Sequence, residues 1–283
     1  MSNWAAWGFA FLLGAVGVST SAHADRRYLP YEAPERTAAP ATYLIKFWLT
    51  PQYQHATGVI IDGSGTLEPG ETNRTDLQDD LGLAPHAALA VGVQLEHRNR
   101  YWPDVRLDYL PLEFFGTHRL SRDLRVGQMS FQAGQQVQTR FQAIAFDLTL
   151  LYRPMRLGDL AKPWLEVSLG LTARTTQAAL DVRGVGIWRV GSERYDVPIV
   201  PMAFIGIDVK PYTLFGLSAE ARGITDGESQ WWDLSAELRT SPRGRKAWLG
   251  LGARYQLLDV ARANDGGLDA TILAGQASIG VRF

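Results

Sequence analysis

From Leu273 to Phe283 the chain alternates without a break. Leu273, Gly275, Ala277, Ile279, Val281 and Phe283 share one face of a strand, and Ala274, Gln276, Ser278, Gly280 and Arg282 share the other. A repeat of two is the repeat of a β-strand; a helix would bring its apolar positions back every third or fourth residue. One face is small or apolar and the other polar, so the strand separates two very different surroundings. It constrains the fold more than any other stretch, because it asks for lipid on one side and a polar interior on the other.

The same period is found in ten segments, approximately 43–53, 87–98, 104–115, 138–152, 163–175, 197–209, 213–224, 230–240, 246–258 and 271–283. The clearest set Leu165, Val167, Leu169 and Leu171 against Glu166, Ser168, Gly170 and Thr172, and Phe215, Leu217, Ala219 and Ala221 against Gly216, Ser218, Glu220 and Arg222. The connections alternate in length. Asn99–Pro103, Arg153–Lys162, Lys210–Tyr212 and Ser241–Arg245 are short or moderate, whereas 54–86, 116–137, 176–196 and 259–270 are longer and polar, with a brief 225–229 among them. An even number of strands with both termini in the periplasm puts the short turns inside and the long loops outside. The expected fold is all-β: a closed, antiparallel, ten-stranded transmembrane β-barrel over 42–283. The last strand, with Ile279, Val281 and Phe283, resembles the signal read by the barrel-assembly machinery, the expected partner during insertion.

Residues 5 to 20 carry no charge, and Ala22-His23-Ala24 supplies small residues at the two positions that signal peptidase accepts. A signal peptide over 1–24, cleaved after Ala24, is therefore expected, followed by a proline-bearing periplasmic extension over 25–41. No other segment has the roughly eighteen continuous apolar residues of a membrane helix. The absence of Cys excludes a disulfide framework and thiol chemistry. A formal charge of −1 gives no basic field for nucleic acid. Trp102, Trp164, Trp231 and Trp232 fall at strand ends and suit the two headgroup levels.

With the strands placed, Leu81-Gly82-Leu83 after Asp76–Asp80, Pro103-Asp104-Val105-Arg106-Leu107-Asp108-Tyr109, Asp147–Pro154, and Gly216–Ala221 with Gly227 and Ser229 resemble a family of small proteobacterial outer-membrane β-barrels of unassigned function. The resemblance covers roughly residues 75 to 283. It implies the ten-stranded fold and the outer membrane, and it carries no site residues over.

Alternation turns Lys46, Glu96, Arg106, Asp108, Asp147, Glu166, Arg174, Asp208, Glu220, Arg222, Asp233, Glu237, Arg239, Arg254 and Arg282 inward. In a barrel only slightly wider than the eight-stranded kind, these charges must find partners. Arg222, Glu220, Glu237 and Arg239 lie on the seventh and eighth strands, and with Arg254 from the ninth they are expected to form one ion-paired cluster that fills the lumen. Removing Glu237 from a dry cluster would cost about 3 to 5 kcal/mol, against no more than about 1 kcal/mol in a wet channel. A structural or binding role follows from a closed lumen, with passive transport of a small solute as the alternative and a rim enzyme third. For the enzyme reading His55, His86 and His118 fall near the external side and His97 at the periplasmic end. No motif demands a metal or cofactor, the Gly58–Gly70 and Asp265–Asp269 stretches lacking the ligand order of a calcium loop. The expected surroundings are outer-membrane lipids and lipopolysaccharide, met as a monomer. The first loop carries Asp62, Glu68, Glu71, Asp76, Asp79 and Asp80, an acidic set that would reach lipopolysaccharide through divalent cations.

Overall fold

A computed structural model describes residues 43–61, 74–97, 102–126, 129–159, 162–186, 190–210, 215–225, 230–241, 246–261 and 267–283. The expected signal peptide and extension, and the acids Asp62, Glu68 and Glu71, lie outside these residues, as does 262–266 at the start of the Asp265–Asp269 stretch. In chain order the strands are β1 (Tyr43–Ile61), β2 (Arg74–Asp76), β3 (Leu83–Ala84), β4 (His86–His97), β5 (Asp104–Arg119), β6 (Leu124–Val126), β7 (Met129–Phe131), β8 (Gln136–Asp159), β9 (Lys162–Gly184), β10 (Val190–Val209), β11 (Phe215–Thr225), β12 (Gln230–Thr240), β13 (Ala247–Ala261) and β14 (Gly267–Arg282). Ten of them, β1, β4, β5 and β8 to β14, pair antiparallel with their neighbours, and β14 returns to β1 to close the barrel. Phe283 takes part in that closure: its N–H donates to the Ile45 carbonyl at 2.9 Å, and Ile45 N–H donates back at 3.3 Å.

Each of the ten expected segments, over its described residues, falls on a wall strand, but four of those strands are much longer than expected. β1 has 19 residues, β8 24, β9 23 and β10 20, whereas about 9 to 11 suffice to cross a bilayer. Much of what reads as loop at 54–61 and 176–196 is therefore wall. A belt of Leu107, Phe146, Leu148, Leu150, Leu169, Leu171, Ile205, Leu217, Leu238, Leu251 and Ile279, all at least 40 % exposed, surrounds the periplasmic half. From Phe215 to Gly223, the ladder partner of Trp232, is eight residues. At the usual rise and tilt that step covers about 20 Å along the membrane normal, close to the roughly 25 Å apolar band of such barrels. Above it the outward side chains turn polar, as at Gln138, Arg140, Thr175, Gln177 and Arg183.

The interior changes in the opposite sense. Within the belt it is charged; above the belt it is apolar, with Phe114, Phe141, Val137, Leu180 and Val182 nearly or fully buried. Two loop segments close this apolar end. One is the turn from Asp76 to Gly82, which buries Leu77 and Leu81; the other runs from Leu120 through the β6–β7 hairpin and buries Leu124, Val126 and Phe131. Asp76 Oδ1 accepts from the N–H groups of Gln78 and Asp79, both at 2.8 Å, and Gly82 ends the turn in the left-handed region at φ 62°. A Cβ on Gly82 would stand 2.8 Å from that of His118, so both the turn and the close approach call for glycine. Arg122 clasps the two loops, donating to the Asp80 carboxylate and, at 2.9 Å, to the Arg74 carbonyl.

Irregular wall geometry occurs where proline removes a donor. The β8–β9 register slips between Tyr152 and Met155, around Pro154. The slip reverses the outward parity of β8, so Tyr152 and then Met155 and Leu157 are exposed. Arg153, expected in a turn, keeps the inward parity that Asp147, Thr149 and Leu151 have before the slip, its side chain 8 % exposed.

Candidate functional site

Six strands supply one ion-paired network across the middle of the lumen. Arg174 on β9 donates through Nε and Nη2 to both oxygens of Asp147 on β8, each at 2.6 Å, and through Nη2 to Asp233 on β12 at 2.6 Å. Arg222 on β11 donates to Asp147 at 2.8 Å and to Asp108 on β5 at 3.0 Å. Arg106 holds Asp108 and Glu220, each at 2.8 Å, and Arg254 on β13 donates from Nε to Asp233 at 2.8 Å. Four guanidinium groups thus meet four carboxylates. The Arg174 and Asp147 side chains are 1 % and 0 % exposed, a degree of burial that two charges tolerate only with this pairing. The planar fork of arginine explains its use here, since one head can serve two acids in different directions.

Two further groups lie beside this network. Arg239 Nε donates to Glu237 at 2.7 Å and its Nη1 lies 3.5 Å from Asp208; Ser278 also donates to Glu237. Gly250 makes room for Glu237, because a Cβ there would overlap Glu237 Oε1. At the periplasmic end Glu96 receives Lys46 at 3.2 Å, Arg282 at 3.3 Å and Arg153, while Arg153 also reaches Asp104 at 2.8 Å.

The five residues expected in one cluster are divided between two groups. Glu220 and Arg222 belong to the central network, and Arg254 joins it through Asp233. Glu237 and Arg239 pair with one another and lead to Asp208 instead. The ladder explains the division: Glu220 stands opposite Ser235, Ser218 opposite Glu237, and Glu237 opposite Gly252, so no acid and base of the five face each other directly. Sequence alternation gives the face of each side chain and leaves the register between strands undetermined. Asp104 and Arg153 join the periplasmic group on the parity that alternation gives them, Asp104 with Arg106 and Asp108 at the start of β5 and Arg153 with Asp147 where β8 continues past its expected end.

Tryptophans enter the lumen as well. Trp48 lies over Gly92 and Trp248 over Gly280, each indole occupying the space a Cβ would need, and the Arg106 guanidinium sits 4.9 Å from the Trp48 ring centre. Trp231 also points inward, 5 % exposed with the Arg174 guanidinium 5.3 Å from its ring, and Trp232 faces outward. The expectation of both at the headgroup level is corrected by strand geometry, since neighbours in a strand take opposite faces. Beneath the central network a cavity of about 60 Å³, lined by Trp48, Glu220, Glu237 and Arg239 among others, is large enough for a few waters.

The histidines lie elsewhere. His55 Nε2 is 2.6 Å from the Gln78 amide, His86 meets the edge of Phe115 at 5.0 Å, His97 lies 6.1 Å from Trp102, and His118 backs onto Gly82. Among the described residues no histidine ring meets a carboxylate, and no group of three His, Asp or Glu is arranged to hold a metal ion. Asp76 and Asp80 are engaged in the turn and the Arg122 clasp, which takes them out of the acidic surface expected to face lipopolysaccharide.

Solved structures similar to this one are outer-membrane barrels. The outer-membrane protease OmpT from Escherichia coli superimposes with a TM-score of 0.51 at 8 % identity, over 86 % of this chain and 97 % of that one. Neisserial surface protein A gives 0.33 at 10 % identity, over 86 % and 98 % of the two chains. The translocator domain of the autotransporter NalP from Neisseria meningitidis gives 0.40 at 11 %, over 86 % and 89 %. At such identity the OmpT likeness is one of fold. The chain matches no family model, and no curated protein matches it. Fold and aliphatic belt together make this an integral outer-membrane β-barrel.

Proposed function

We propose that the protein is a closed barrel with a structural or binding role in the outer membrane, acting as a monomer and neither conducting solutes nor catalysing a reaction. The observation that carries this reading is the central network: Arg174, held by Asp147 on the adjacent strand and by Asp233 three strands away, carries a chain of ion pairs across the lumen. A passing ion would have to displace these partners from one another. Above the network the Leu77, Leu81 and Phe131 cap adds an apolar seal. Planar-bilayer recording of the purified protein tests the proposal. The expected result is no steady conductance; a reproducible open level would overturn it in favour of passive transport.

Outer-membrane lipids and lipopolysaccharide are its proposed surroundings, and the barrel-assembly machinery its partner on insertion. The backbone bonds of Phe283 to Ile45, together with the 75 % exposure of the residue, support the second point. Deleting Phe283 should lower the amount of heat-modifiable, membrane-extracted protein more than deleting a residue of 226–229. Equal amounts would speak against the signal.

A further inference from the structure

The extracellular half of the lumen holds a second cavity, of about 50 Å³, with a lining that is wholly apolar at its surface. Leu77 from the cap, Leu112 on β5, Phe141 on β8, Trp231 on β12, Leu258 on β13 and Ile272 on β14 are among its large apolar lining residues, and Thr176 on β9 lines it without presenting its hydroxyl. Such a space is not one that water fills, because water needs two to four polar partners.

Next to it the wall is weak. The β4–β5 ladder runs from Leu95–Val105 to Val91–Tyr109 and stops. Pairing with β5 resumes only at Ala84–Phe115, on β3, one residue out of register with the ladder below. Between these points, His86 to Ala90 and Leu110 to Phe114 form no ladder pair with one another, although each run keeps its other neighbour, β1 or β8. Pro85 and Pro111 have no N–H to offer. One inward side chain spans the break: Gln54 donates to the Pro111 carbonyl at 3.0 Å, while its own oxygen is buried without a partner. Leu112, which lines the cavity, lies within the unpaired stretch. On the outer surface the break is flanked by Leu89 and Tyr53, 48 % and 63 % exposed, below the Arg140–Glu113 ion pair. It therefore opens at the outer edge of the apolar belt.

We propose that this cavity receives the terminal carbons of an alkyl chain, for which its volume has room, and that the unpaired β4–β5 segment is its lateral door to the outer leaflet. The occupant is aliphatic because the lining presents no polar surface to it and because the door opens onto hydrocarbon and away from the aqueous side, which the cap covers. Opening the door needs loss of the Gln54–Pro111 bond and of the His86–Phe115 ring contact, and no break in a ladder. The inference concerns the apolar half of the lumen only. A conducting barrel that still bound alkyl chains would overturn the closed-lumen proposal and leave this one standing.

The test follows Trp231 fluorescence, taken as the difference between the full protein and Trp231→Phe, in lipid nanodiscs. One arm adds 1-bromohexane to discs of ordinary phosphatidylcholine; the other uses phosphatidylcholine with brominated acyl chains and no additive. Quenching of the Trp231 component in the first arm alone assigns the site to a free hydrocarbon, and quenching in the second to a lipid tail. Either supports the proposal, provided that filling the cavity with Ala143→Leu, or with Ala178→Leu should the first variant lose heat-modifiable migration, abolishes the quenching. Gln54→Ala should speed the onset of quenching after mixing. No quenching in either arm, or quenching undiminished by the cavity-filling variants, would overturn the site, and an unchanged onset in Gln54→Ala would overturn the door.

Discussion

The two halves of β9 meet opposite surroundings with the same backbone. Up to Arg174 the outward positions are Leu165, Val167, Leu169 and Leu171 and the inward ones are Glu166, Ser168, Thr172 and Arg174; beyond it the outward ones are Thr175, Gln177, Asp181 and Arg183 and the inward ones Ala178, Leu180 and Val182. β8 does the same, from Asp147 inward with Phe146 and Leu148 outward to Phe141 and Val137 inward with Arg140 and Gln138 outward. The lower half is a membrane protein, apolar outside and ion-paired inside. The upper half is built like a water-soluble sheet with an apolar core under two loops. Alternation of side chains continues through both, and only the assignment of polarity to face is exchanged. The surroundings of a strand, and not its geometry, decide which face is greasy.

The largest effect that would break this contrast is expected at the charged centre. Asp233 serves Arg174 and Arg254, and its side chain is 3 % exposed. Asp233→Ala leaves two buried guanidinium groups short of an acceptor and should cost about 3 to 5 kcal/mol in reversible unfolding from detergent or lipid. A negligible loss would mean that water fills the lumen, and the lower half would then be a channel wall.

A second prediction compares the outward faces directly. Leu169→Arg puts a cation in the lipid belt and should cost about 2 to 4 kcal/mol if near the bilayer midplane. Gln177→Arg changes an outward residue of β9 eight positions further along, on the same face but in water, and its effect should stay within about 0.5 kcal/mol. Unfolding of the two variants in the same lipid makes the comparison. Equal losses would place both halves in the same solvent.

The exchange of polarity also explains what the sequence discloses and what it hides. Ten wall strands, their closure and the inward charges are legible because, within the belt, apolar residues keep one parity over about ten positions. At Arg174 the apolar parity moves from odd to even, and a break in phase looks like the end of a strand; 176–184 therefore reads as loop although β9 continues to Gly184. The apolar cap is hidden for a different reason. Leu77, Leu81, Leu124 and Phe131 lie in short, polar-looking connections, and nothing local to them shows that they fold over the barrel end. In the charged centre alternation indicates which side chains face inward. Which acid meets which base depends on the ladder register, and so alternation alone does not assign Arg254 to Asp233.

The smallest of the three effects sharpens the contrast within the charged half itself. Glu237 is nearly as buried as the central aspartates, with a side chain 6 % exposed, but its partner Arg239 is 32 % exposed and keeps a second acid, Asp208, at 3.5 Å. Glu237→Ala therefore leaves behind a cation that retains both solvent and a neighbour. The expected loss is about 1 to 2 kcal/mol, between the values for a dry pair and for an exposed one. It should shrink as salt is added, because a guanidinium in reach of water is screened, whereas the loss for Asp233→Ala should not. Unfolding of both variants at low and high ionic strength separates the two behaviours. If Glu237→Ala costs as much as Asp233→Ala and shows the same indifference to salt, the dry region extends down to Arg239, and the division into a sealed centre and a wetter periplasmic side is wrong.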